Sequence, residues 1–334
     1  MYKVGVIGCG GIASLYNELT NNKNVLTHMS AYQNNNLTKI EAICDIDKDR
    51  LVGCGEYRNI NNCYTDYKKM LVENDFDIVS ICTPSNIRYE LIKGCIDRDV
   101  KVILVEKPLT LSLEETNKII ELERISSSFI YINYSRRHIN SILEIKNKIS
   151  SFELGGIQSI TINYNKGTFN NGSHFIDLCD FLFDSKAFEA LTIRENKQDS
   201  YLDDKTYDFC LFYKFNNKIF PAYFISSNHK KYSNNRITLY ADLGNIIVNE
   251  SDDKVVFYNV KDDDKYQGYK TLRKYKTKKY QSELALTNII NDVCQSIKNN
   301  SYKNNLAQVN DALVIQQTIG AIRKSFLNNL RVRI

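Results

Sequence analysis

The stretch Lys3-Val4-Gly5-Val6-Ile7-Gly8-Cys9-Gly10-Gly11-Ile12-Ala13 runs from a short apolar segment through a glycine cluster into a helical pattern. Glycines at 8 and 10 let the chain turn sharply and let a pyrophosphate approach the backbone, where the free N–H groups and dipole of a helix amino terminus favour an anion. Gly8, Gly10, Gly11 and Ile12 are therefore candidate phosphate contacts. An ordinary glycine turn is the alternative, and the strand–turn–helix setting argues against it.

Outward from this motif, short β-branched runs alternate with longer helical patterns. Strands are expected at Lys3 to Gly8, Lys39 to Asp45, Asp77 to Thr83, Val100 to Val105 and Phe129 to Asn133. Helices are expected near Ile12 to Leu19, Tyr64 to Glu73, Ile87 to Asp97 and Ser112 to Arg124, the last opening with a Ser112-x-x-Glu115 capping box. Such alternation predicts an α/β fold, a doubly wound parallel Rossmann sheet covered on both faces.

Beyond Leu154 the period changes to two. Ile157 to Asn165, Phe188 to Arg194, Tyr207 to Phe215, Lys218 to Ser226, Arg236 to Ala241 and Val255 to Val260 alternate apolar with polar residues, and Asn216-Asn217 reads as a hairpin turn. The expected organisation is a dinucleotide-binding domain over 1–133, a crossover helix over 134–150, and an α+β domain over 151–334 with a large, mainly antiparallel sheet. Two closing helices, Ser282 to Lys298 and Asp311 to Leu327, carry apolar residues at helical spacing, and the final one is expected to pack back on the N-terminal domain.

Composition narrows the function classes. The 334 residues suffice for two cored domains, and 44 Lys and Arg against 39 Asp and Glu leave only +5, no footprint of nucleic-acid binding. No apolar run approaches the ~18 residues of a membrane span. Residues 1–10 lack an apolar signal core, so no membrane partner and a cytoplasmic location are expected. The nine cysteines never form C-x-x-C and sit mostly in apolar runs, which reads as reduced core residues without disulfides or structural zinc.

Four further segments carry chemistry. Asp45 ends the second strand, where a carboxylate accepts hydrogen bonds from an adenosine ribose and repels a 2′-phosphate, favouring NAD over NADP; Ile46 follows it. It stands 34 residues beyond Gly11, more than the ~20 usual. An insertion around Asn21-Asn22-Lys23-Asn24 and Asn34-Asn35-Asn36 explains the excess; alternatively, Asp45 merely caps a following helix. Thr83-Pro84-Ser85-Asn86 and Glu106-Lys107-Pro108 follow the third and fourth strands and hold two of the three prolines. Rigid exits at carboxyl strand ends suit ligand loops, with simple strand termination as the alternative. In Asn170-Asn171-Gly172-Ser173-His174-Phe175-Ile176-Asp177, a helix starting near Gly172 puts His174 and Asp177 three apart on one face, so that Asp177 can orient the imidazole.

These segments, in this order and spacing, resemble the Gfo/Idh/MocA family, the nicotinamide-dependent oxidoreductases named for glucose–fructose oxidoreductase and inositol dehydrogenase. The resemblance implies NAD as cofactor, Lys107 beside the nicotinamide and the substrate hydroxyl, and His174 as its companion acid/base. Glu106 is assigned to cofactor positioning, and Asn170, Asn171, Arg136 and Asp177 to substrate. The implied substrate is a sugar or nucleotide-linked sugar, and the implied assembly a homodimer or homotetramer. Two departures stand out: Asn170 replaces an Asp carried by many sugar-using members, which removes a proton acceptor, and Arg88 stands where the family often has His. The same fold also admits transient oxidation driving a non-redox outcome, or a non-catalytic NAD-binding sensor.

Tyr266 to Lys279, with Lys265 just before it, interleaves seven cations with three tyrosines and reads chiefly as a solvated strand or loop face. Arg136 and Arg137 could meet a substrate anion or form the first turn of a surface helix.

Overall fold

A computed structural model describes residues 1–20 and 24–334. Asn21, Asn22 and Lys23, part of the expected insertion, lie outside the described residues. The chain forms two compact units, Met1–His138 with Glu283–Leu313, and Ile139–Ser282 with Val314–Ile334.

The first unit is built on strands β1 (Tyr2–Ile7), β2 (Thr38–Cys44), β3 (Cys63–Tyr64), β4 (Ile78–Ile81), β5 (Val102–Val105) and β6 (Phe129–Ile132). Their spatial order is β6, β5, β4, β1, β2, β3, all parallel, so the sheet reverses its winding between β1 and β4. In such sheets ligands bind at the carboxyl ends of the two strands flanking the reversal. The five strands expected from sequence are present with slightly trimmed ends. The Rossmann expectation holds.

The unit's helices are α1 (Tyr16–Thr20), α2 (His28–Gln33), α3 (Lys48–Arg58), α4 (Tyr67–Glu73), α5 (Arg88–Ile96) and α6 (Leu113–Ile125). Sequence periodicity overlooked α2 and α3. The first is barely two turns long and starts from a reciprocal Thr27/Ser30 capping box. Ser112 caps α6 by accepting from the Glu115 N–H.

The second unit holds α7 (Asn140–Ser150), α8 (Ser173–Phe183) and strands β7 (Ile157–Tyr164), β8 (Glu189–Tyr201), β9 (Asp204–Phe215), β10 (Lys218–Ser226), β11 (Arg236–Ala241), β12 (Gly244–Asn249), β13 (Lys254–Asp262) and β14 (Lys270–Lys279). Only β7 and β10 pair in parallel; every other ladder of this sheet is antiparallel. Asn216 and Asn217 both take positive φ, 48° and 61°, as a two-residue hairpin requires. The mainly antiparallel sheet follows the sequence reading.

The chain closes with α9 (Ala285–Asn299), β15 (Ala307–Gln308), α10 (Val309–Asn328) and β16 (Val332–Arg333). The sequence expectation gave the final helix to the N-terminal domain; the structure gives that place to α9. Its Ile289, Ile290 and Val293 are buried in one core with Val4, Ile78, Val102 and Tyr32, each such side chain stabilising by about 1.5–3 kcal/mol. From Val314 onward α10 belongs to the second unit, where Phe326 packs on Tyr207 and Thr192 bonds to Ile322 and Ser325. Both helices are amphipathic, and periodicity alone does not say which surface receives each stripe.

Candidate functional site

The glycine turn is shaped by its neighbours. Gly8 has φ +94°, and a Cβ there would lie 3.0 Å from the Cys82 backbone, so only glycine lets β1 and β4 approach at the reversal of the sheet. A Cβ on Gly10, by contrast, would meet nothing within 4 Å, which leaves its backbone open to a ligand. Gly11 faces the Tyr16 ring, 2.8 Å from the position of a Cβ, so its missing side chain serves packing. A π-helical turn, Gly11–Leu15, follows, with the N–H groups of Ala13, Ser14 and Leu15 all directed to the Gly10 carbonyl.

Asp45 is not a helix cap. Asp47 caps α3 by accepting from the Arg50 N–H, while the buried Asp45 accepts from the Cys9 N–H at 2.7 Å through Oδ2 and from the Asp47 N–H at 2.9 Å through Oδ1. Its carboxylate thus joins the end of β2 to the glycine turn. Arg50 reaches the same Oδ2 at 3.4 Å.

A cleft of about 600 Å³ opens at the carboxyl ends of β1, β2 and β4. Its walls include Gly8, Gly10, Asp45, Ile46, Thr83 and Pro84. Asn86, Glu106 and Lys107, also expected at the cofactor, are not among its walls. Among the described residues the buried Thr83 hydroxyl oxygen in this cleft has no hydrogen-bond partner, a cost a bound polar group removes. Open glycine backbone, an orphan hydroxyl and a carboxylate at the second strand are a donor set that fits a dinucleotide.

Glu106 turns inward. Its Oε1 lies 2.9 Å from Nε2 of His28 and accepts from the Asn133 amide, while Nδ1 of His28 lies 3.1 Å from the Ser80 hydroxyl, itself 2.7 Å from Tyr32. Burial opposes the charge on His28, but Cys82 and Glu106 beside it hold the imidazole up to about 10. Burial likewise opposes the Glu106 carboxylate, and the His28 hydrogen bond nevertheless keeps it below the usual carboxylate range. The expected cofactor-positioning side chain is therefore half of a buried ion pair. His28 escaped the sequence reading because it lies on the overlooked α2.

Arg88 also turns inward and is 4% exposed. Its guanidinium donates to the carbonyls of Thr83, Glu106 and Pro108. Lys107 sits half-buried between the last two, after β5 and in cis linkage to Pro108. Arg136 and Arg137 lie on a 3₁₀ turn, Ser135–His138, rather than on a surface helix; Arg137 is buried and pairs with Asp311 at 3.2 Å.

In the second unit the Asn-rich segment forms another π-helical turn, Gly167–Gly172, which runs directly into α8. It is pinned by two acids. Asp199 accepts from the N–H of Lys166, the Thr206 hydroxyl and His229, and Asp204 accepts from the N–H groups of Phe169 and Asn170 at 2.8 and 2.7 Å. Asn171 donates to Asn235 at 3.3 Å. His174 is half-buried in the first turn of α8, and Asp177 is fully buried one turn later.

The basic segment is the edge strand β14. Lys276 and Lys278 share Glu144, Lys270 pairs with Asp262, and Arg273 with Asp264, so acids answer much of its charge. Charged side chains on a sheet edge discourage edge-to-edge association. All nine cysteines are free. Among the described residues no helix is long and apolar enough to cross a membrane, and no cluster of three His, Cys, Asp or Glu is placed to hold a metal.

Over 151 residues the chain is 28% identical to the oxidoreductase YrbE of Bacillus subtilis, covering 45% of this chain and 40% of that protein. Over 153 residues it is 25% identical to the myo-inositol 2-dehydrogenase of Thermotoga maritima, covering 46% and 42%. The matched region thus spans less than half the length of these curated relatives. Levoglucosan dehydrogenase, solved with NADH and L-sorbose, shares the fold at TM-score 0.79 and 14% identity, covering 100% of this chain and 99% of that one. Residues 2–134 match the family described as "Oxidoreductase family, NAD-binding Rossmann fold". That region, with its glycine turn and switch-point cleft, is similar to the NAD-binding part of that oxidoreductase family.

Proposed function

We propose that this chain is an NAD-dependent oxidoreductase acting on a CH–OH group of a sugar or sugar derivative, a nucleotide-linked sugar included, with Lys107 and His174 as the reacting residues. The observation that carries the reading is the switch-point cleft, where open backbone at Gly10, the orphan Thr83 hydroxyl and the Asp45 carboxylate suit a dinucleotide. Bound NAD supplies a hydride acceptor, or a donor when reduced.

Oxidising an alcohol requires a proton to leave oxygen as hydride leaves carbon. The Lys107 ammonium polarises that oxygen. His174 takes up the proton, with Asp177 holding the ring. Asn170 and Asn171 bond substrate hydroxyls, and Arg136 meets an anionic group such as a nucleotide phosphate. Asp45 accepts from the adenosine ribose and disfavours a 2′-phosphate, which makes NAD the preferred form over NADP. The names of the myo-inositol and levoglucosan dehydrogenases support a polyhydroxylated ring as substrate. A homodimer or homotetramer belongs to the same reading.

A panel of cyclitols, free sugars and nucleotide sugars, each with NAD⁺, tests it by NADH formation. Lys107→Met and His174→Ala are expected to remove most turnover while NADH affinity stays within about threefold; undiminished rates in both variants dispose of the assignment. Sugar release without NADH formation points instead to transient oxidation, and tight NADH binding with no turnover on any member to a sensor.

A further inference from the structure

Lys107 is flanked by two carbonyls, of Glu106 before it and Pro108 after it, and one η-nitrogen of Arg88 donates to both. The same guanidinium donates through Nε and the other η-nitrogen to the Thr83 carbonyl, at 3.0 and 2.6 Å. Arg88 opens α5, Thr83 follows β4 and Glu106 follows β5. One buried cation therefore ties together both proline-bearing loops at the carboxyl edge of the sheet.

We infer that Arg88 is a positioning residue for Lys107, fixing the main chain on either side of that ammonium. The inference rests on the role given to Lys107 under Proposed function. The Glu106 side chain is meanwhile anchored on the other side by His28 and Asn133, so the peptide carrying Lys107 is held through both its side-chain and its main-chain neighbours. A planar fork with five N–H donors can serve three carbonyls at once; an ammonium offers three donors on one atom and an imidazolium two on opposite edges. Neither Lys nor His reproduces the clamp. A lysine side chain is long and flexible, so the position of its base largely decides where the ammonium is found, and misplacement by about 1 Å can cost about 100-fold in rate.

The test follows Lys107 itself. Reductive ¹³C-methylation labels lysine amines, and the Lys107 NMR signal is the one absent from Lys107→Arg. In Arg88→Lys and in Arg88→Ala, the Lys107 signal of the otherwise folded protein is expected to move and broaden and its titration midpoint to change. Added guanidinium chloride at low concentration should return it towards the wild-type position in Arg88→Ala. Where Lys107→Met abolishes turnover, Arg88→Lys should lower kcat about 100-fold with little change in KM. A Lys107 signal and midpoint identical to wild type in Arg88→Lys overturns the positioning role. Undiminished turnover in Lys107→Met instead overturns the reading under Proposed function and leaves the NMR result to decide the clamp on its own terms.

Discussion

The Asp45 carboxylate accepts a hydrogen bond from the Cys9 backbone N–H at 2.7 Å, joining the end of the second strand to the glycine turn. One residue thereby shapes the phosphate loop and presents charge at the cleft. Asp45→Ala should raise the NADH dissociation constant about tenfold, or 1.4 kcal/mol, and narrow its advantage over NADPH. Fluorescence titration with both nucleotides checks this, and an unchanged ratio between them counts against the ribose role.

Thr83 offers a control in the opposite direction. Its hydroxyl oxygen is buried without a partner among the described residues, and such an atom costs about 1–3 kcal/mol. Thr83→Val should keep or raise the melting temperature of the ligand-free protein while weakening NADH binding about three- to tenfold, the worth of one ordinary hydrogen bond. Lower stability with intact affinity would mean the hydroxyl serves the fold alone.

The His28–Glu106 pair predicts a specific pH dependence. The folded protein holds the His28 proton to about pH 10, whereas the unfolded chain releases it near the ordinary value of 6.5. This contribution is complete below pH 6.5 and is lost as pH rises towards 10, at no more than about 1.4 kcal/mol per pH unit. Glu106 acts oppositely: its contribution is present above its ordinary 4.5 and fades as pH falls through its lowered folded value. The pair is therefore most effective between 4.5 and 6.5. His28→Gln should cost about 3–5 kcal/mol and flatten the alkaline decline, as measured by urea unfolding across pH.

Asp204 supports the turn before His174. Asp204→Ala removes the acceptor for two N–H groups and should cost about 1–3 kcal/mol, with a larger loss of kcat than of stability if the turn sets the imidazole. Gly167, at φ +83° with an Asp204 oxygen 2.0 Å from its would-be Cβ, has no room for alanine. Gly167→Ala should be at least as damaging, and a melting curve like wild type would contradict this packing.

Glu144→Gln releases Lys276 and Lys278 on the edge strand. Exposed ion pairs contribute about 0–1 kcal/mol, so unfolding should shift by no more than that, and less at high salt. A larger shift would assign the patch a structural role its exposure does not suggest.

Much of the architecture was legible because periodicity is a local property. The β-branched runs of the first unit and the alternating strands of the second declare their burial residue by residue, and Asn216-Asn217 declares its turn. Short α2, with its His28 and Tyr32, did not, since two turns of helix carry too few apolar repeats to register. The destinations of α9 and α10 were equally hidden, because an apolar stripe records that something covers it and not what.

The sequence by itself determined that a glycine turn follows the first strand, that Asp45 ends the second, and that Lys107 and His174 stand within recognisable motifs. Only the tertiary structure decided that Asp45 holds the glycine turn, that Glu106 faces a buried histidine, and that Arg88 clamps the carbonyls around Lys107. Motif chemistry resides in neighbours along the chain, whereas these hydrogen bonds join residues separated by 18 to 78 positions. Which distant donor meets which acceptor is settled when the hydrophobic core brings the strand ends together, since a buried polar group must then find a partner.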